Sequence, residues 1–130
     1  DTEGLHSSYF RTTDQVQLEW LNAGFGITDV VITKYNSVGN GLVYSTYIGG
    51  SQTEIVTSLI VDGNDNLCFY GATGSSNFPI VSGAYDASFN GGVPLSFYFN
   101  GTNYSAGTDI YVGKFNSTGS TLLASTFGRK

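Results

Sequence analysis

A twenty-residue stretch occurs twice in this chain, eighty residues apart. Residues 28–47 read TDVVITKYNSVGNGLVYSTY and residues 108–127 read TDIYVGKFNSTGSTLLASTF, with nine identities in ungapped register. Most other pairs keep size or branching, as in Val30/Ile110, Ile32/Val112, Tyr35/Phe115 and Tyr47/Phe127. Such a period implies one structural unit used more than once. Units of this kind cannot bury their faces alone and stack on their neighbours.

Each copy predicts a β-hairpin. Residues 30–35 form a β-branched and aromatic run, 36–41 carry turn chemistry, and 42–48 return as a second strand. The second copy repeats this over 110–115, 116–120 and 121–127. Between the copies, 55–61 and 67–72 predict another hairpin around the turn Asp62-Gly63-Asn64-Asp65-Asn66. Hairpins 30–48 and 55–72 then read as one four-stranded meander, the unit of a β-propeller blade. Apolar residues on both faces, as in Val30-Val31-Ile32 and Leu67-Cys68-Phe69-Tyr70, fit a sheet covered on two sides. Residues 1–27 fall outside the repeat. Gln15 to Leu21 alternates polar and apolar, which suggests a half-exposed strand that ends a preceding blade or caps an edge. The expected class is therefore all-β, with antiparallel four-stranded meanders stacked as propeller blades, here fewer than two complete ones. The divisions are 1–27, a blade repeat over 28–107, and the start of the next over 108–130.

Composition narrows the function. Gly supplies 18 of 130 residues and charged residues only 12%, against typical shares of roughly 7% and 25%. The net charge is −5, and Arg11, Lys34, Lys114, Arg129 and Lys130 are scattered. No basic stripe exists to displace counterions from a nucleic acid or to hold an anionic membrane, and no apolar run is long enough to insert as a helix. Cys68 is the single cysteine, so no intrachain disulfide forms. Its apolar neighbours predict a small core residue rather than a reactive thiol.

The run Leu42-Val43-Tyr44-Ser45-Thr46-Tyr47-Ile48-Gly49-Gly50 resembles the signature of the bacterial SBBP repeats, a β-propeller family. Matching pieces surround it in order: Thr28-Asp29, Lys34-Tyr35-Asn36, Val61-Asp62, Gly63-Asn64, Thr73-Gly74, Phe78-Pro79, Gly83-Ala84-Tyr85 and Asn90-Gly91-Gly92. The wording is especially similar to long secreted proteins of the Bacteroidota that use the gliding-associated, type IX secretion route. The resemblance implies a secreted or cell-surface location, a protein or glycan partner there, and neighbouring blades or chains of the same repeat. It implies no catalytic residue and no cofactor. Two departures stand out. Residues 93–107 are an insert where the family passes directly to Thr-Asp, and Phe127-Gly128-Arg129-Lys130 replaces Tyr47-Ile48-Gly49-Gly50. The sequence is accordingly expected to be a piece of a longer array.

Candidate sites follow. The insert places Phe97, Tyr98, Phe99 and Tyr104 among polar turn residues, where exposed rings stack on sugars or anchor a protein. The simpler alternative is that 95–99 adds a strand over a blade edge. Asp62, Asn64 and Asn66 present oxygens at alternate positions, as a calcium loop does. Leu67 and Thr73 stand where that loop needs Gly and Glu, so a tight turn is the expected role. Three Asn-x-Ser/Thr triplets, at Asn100, Asn103 and Asn116, read as Asn-rich turns. His6 is the single histidine, and Asp29 and Asp109 are equivalent repeat positions expected to cap strand starts. The expectation is a non-catalytic module for adhesion or scaffolding. The alternatives are a carbohydrate-binding module serving a separate catalytic domain, and a passive spacer or secretion passenger.

Overall fold

A computed structural model describes residues 5–10, 28–97 and 102–128. The described residues form an all-β, antiparallel structure without helix. Strands β1 (Leu5–Phe10), β2 (Asp29–Tyr35) and β3 (Leu42–Ile48) make one sheet. Strands β4 (Glu54–Val61), β5 (Leu67–Thr73), β8 (Asp109–Phe115) and β9 (Leu122–Phe127) make a second, in that order. Between β5 and β8, β6 (Leu95–Phe97) and β7 (Thr102–Tyr104) pair as a separate two-stranded hairpin. The strand expected from Gln15 to Leu21 lies outside the described residues.

Both copies of the repeat are hairpins, and their turns close by the same bonds. The Asn36 and Asn116 amides donate to the carbonyls of Gly41 and Thr121, at 2.8 and 3.0 Å. The side-chain oxygens of the same two asparagines accept from the amides of Asn40 and Ser120, at 3.1 and 2.9 Å. Asparagine here replaces backbone partners that the reversal removes.

The grouping of strands differs from the sequence expectation. Hairpin β4–β5 joins hairpin β8–β9, not β2–β3. The chain crosses from one sheet to the other over residues 49–53, and the Glu54 amide donates to Thr28 O as it does so. Two close approaches lock β5 to its distant partner. The end of the Phe69 ring lies over Gly113, where a Cβ would strike it. The Tyr111 hydroxyl passes over Gly71 to donate to Ile55 O at 2.9 Å.

The core lies between the two sheets. Val30, Ile32 and Ile48 of the first meet Leu67, Phe69, Tyr111, Phe115 and Phe127 of the second. Phe78, from the loop after β5, stacks on Tyr111 with ring centroids 4.4 Å apart. That loop continues along the edge of β9, where Asp86 O accepts from Phe127 N, so that edge is covered. The two repeat copies therefore bury opposite faces. Val30 and Ile32 are 0% exposed while their equivalents Ile110 and Val112 are 58% and 46% exposed. Conversely, Phe115 and Phe127 are 6% and 1% exposed while Tyr35 and Tyr47 are 42% and 58% exposed.

Candidate functional site

The strand register assembles an open apolar face on the side of the four-stranded sheet away from the core. Three cross-strand rows build it: Ile60, Cys68, Lys114 and Ala124; then Ser58, Tyr70, Val112 and Thr126; then Ile55, Ala72 and Ile110. Ile60, Tyr70, Ile110 and Val112 are exposed. Side chains alternate across a strand, so the same four strands that fill the core with Leu67, Phe69, Tyr111 and Phe127 must present this second set outward. A cleft of about 360 Å³ lies on this face, lined by Cys68, Tyr85, Val112, Lys114, Ala124 and Thr126 among others. Tyr85 stands beside it, 78% exposed.

Lys114 brings a positive charge to the border of the cleft. Its ammonium lies 2.6 Å from Asp62 Oδ2. This contact, with amide bonds from Asn64 and Asn66, holds the Asp62 carboxyl below the usual carboxylate range. Asp62 Oδ1 accepts from the Asn64 and Asn66 amides at 2.8 and 3.0 Å, and Asn66 Nδ2 donates to Oδ2 at 3.2 Å. The oxygens read as a possible calcium set thus bind their own turn and a lysine. An ammonium in direct contact with the carboxylate opposes a second cation there. Cys68 is half-buried on the cleft wall, not in the core as expected, and its cross-strand neighbour is Lys114. Sequence neighbours could not reveal that pairing.

A second polar cluster is enclosed. Glu54 opens β4 with no exposed surface. Its Oε1 accepts from the Thr73 hydroxyl at 2.6 Å and from the Ser75 hydroxyl, and Oε2 accepts from Gly50 N at 3.0 Å. The Asp29 carboxyl lies beside the same group, both standing over Gly49. Burial raises both pKa values. At Glu54 the Ser75, Thr73 and Gly50 donors oppose the rise, and the charge of Asp29 adds to it. A carboxyl dyad can serve acid/base chemistry where a substrate reaches it. Here the lone pairs of Glu54 are taken up by the two sheets it joins. Asp109, the equivalent of Asp29, is buried and accepts from Asn90 N. The strand-start role expected for Asp29 and Asp109 is therefore a tie to other segments: Asp29 to Glu54, Asp109 to the loop before the insert. Glu54 was missed in the sequence, although a lone carboxylate opening an apolar strand is a visible signal.

The chain matches no protein-family model, no curated protein and no solved structure.

Of the insert's four candidate aromatics, Tyr104 has a described side chain, and it lacks the exposure expected of it. Tyr104 is 2% exposed, its ring against Gly74. Packed against the segment that follows β5, it cannot present a face to a ligand. Phe97 ends β6, while Tyr98 and Phe99 lie outside the described residues. The strand expected over 95–99 pairs within the insert rather than with a blade edge. At its base, Gly92 N donates to Ala106 O at 2.8 Å and Gly107 N to Tyr104 O at 3.2 Å. Gly107, at φ 74°, lies so close to Gly92 that any side chain would collide.

Proposed function

We propose that this chain is a non-catalytic interaction module, built as β-propeller-type blades of a secreted or cell-surface protein, that serves adhesion or scaffolding. The observation that carries the reading is the open apolar face of β4, β5, β8 and β9, with its cleft beside Tyr85. Apolar sheet surface left in water marks an interaction site. The raised carboxyls of Glu54 and Asp29, by contrast, are engaged in internal ties. The SBBP-like wording supports the propeller, the secreted location and the Bacteroidota source. The experiment is binding of the 130-residue chain to intact cell surfaces, compared with an Ile60→Ser/Tyr70→Ser variant. Loss of binding in the variant supports the reading. Hydrolase activity that disappears in Glu54→Gln would overturn it.

A carbohydrate-binding role is the second reading, and the exposed ring of Tyr85 beside the cleft supports it. An exposed ring beside a shallow cleft is suited to stacking on a sugar. Binding to a soluble glycan that is lost in Tyr85→Ala and kept in Tyr104→Phe would favour it.

A further inference from the structure

We infer that the open face of the four-stranded sheet and the Tyr35/Tyr47 patch on the outer face of the three-stranded sheet are complementary halves of one interface, mated by a second copy of this chain stacked head to tail. The inference rests on the interaction reading above and deepens it by naming the partner.

The chain already contains this interface once. Inside it, the Val30/Ile32 face of the first repeat copy packs on the Tyr111/Phe115/Phe127 face of the second. Each copy also has the other face. On the second copy Ile110 and Val112 repeat Val30 and Ile32, and both are exposed. On the first copy Tyr35 and Tyr47 repeat Phe115 and Phe127, and both are exposed. Val31, which repeats Tyr111, is buried within the chain, so the free part of that face runs through Tyr35 and Tyr47. Among the described residues, the exposed parts of the two faces belong to different sheets and lie away from the shared core. Their contact is heterologous, and copies add in one direction.

The bulk of the side chains fits the same arrangement. Within the chain the Tyr44 ring lies against Gly119 in the β8–β9 turn. Ala124 stands in the place of Tyr44 on the open face, and the cleft is the space that the smaller residue leaves. On a second copy the residue equivalent to Gly119 is Gly39, and its neighbour Val38 is exposed where the second repeat has Thr118. Val38 of the second copy supplies apolar volume at the point where Ala124 withdraws it. The sheet topologies also agree: β1 lies against β2 as β5 lies against β8.

Sedimentation of the full chain over a concentration series tests this, with Val112→Asp blocking one half and Tyr47→Asp the other. The wild type is expected to grow in mass with concentration, and each variant alone to stay monomeric. An equimolar mixture of the two variants should give a dimer and nothing larger, because it contains one intact pair of halves. Circular dichroism verifies that both variants fold, and Val112→Ser with Tyr47→Ser repeats the experiment if either does not. A wild-type chain that remains monomeric to about 1 mM, a single variant that still assembles, or a mixture that stays monomeric overturns the inference. A monomer that still binds a glycan or surface protein overturns the stacking alone and leaves the interaction reading standing.

Discussion

Residues 28–47 and 108–127 are nearly one sequence, yet they solve opposite burial problems. The first copy sends its even-numbered β2 residues, Val30 and Ile32, into the core; the second sends its odd-numbered β8 residues, Tyr111 and Phe115. The difference follows from which side of each hairpin the other sheet lies on. Both faces of the repeat are apolar, and the surroundings decide which one is covered. Similar sequence therefore predicts similar hairpins and turns but not similar exposure.

The largest expected effect breaks the equivalence at its most asymmetric pair. Phe127→Ala should cost about 3–5 kcal/mol of folding stability, while Tyr47→Ala in dilute protein should stay within about 0.5 kcal/mol. Urea unfolding of both variants measures the gap. A smaller effect comes from making the second copy read like the first. Gly113→Thr puts the side chain of Thr33 beneath Phe69, where there is no room, and should cost about 1–3 kcal/mol. A neutral result would mean that Phe69 can leave its place over β8.

The aspartates sharpen the comparison next. Asp29 and Glu54 titrate ordinarily near 3.8 and 4.5, and both are raised in the fold. The folded chain thus prefers their protonated forms. Their contribution is complete below those ordinary values and is lost as pH climbs through the raised ones. An asparagine side chain in place of Asp29 carries no charge and can donate an N–H to the Glu54 carboxyl. Asp29→Asn should therefore melt higher than wild type at about pH 8 and lose that advantage by about pH 4. The smallest effect is expected at the Lys114–Asp62 pair. Asp62→Asn keeps an oxygen for the turn, and its slight loss of stability at low salt should vanish at high salt.

Much of the fold was legible in short windows. Each predicted strand of the repeat and of the 55–72 hairpin lies within a residue of the observed one, because β-branched runs and Asn-Gly turns act locally. The partner of β5 was not legible. Thirty-five residues separate Thr73 from Asp109, and the contacts that pair them, Phe69 on Gly113 and Tyr111 over Gly71, are tertiary. The site was harder still. The setting of Cys68 depends on Lys114 across the sheet, and the burial of Tyr104 depends on Gly74. Ile110 and Val112 look like core residues in sequence, and only the position of the first sheet leaves them outside.

The pinched base at residues 91–92 and 106–107 gives the insert a character of its own. Its two ends are held by backbone groups and by glycines in contact, so the closure does not depend on which side chains the hairpin tip carries. Such a bracket is a port for variation: the tip can change in length and wording while β5 and β8 keep their register. In a family of such chains diversity would gather there, and a foreign peptide could be displayed from it.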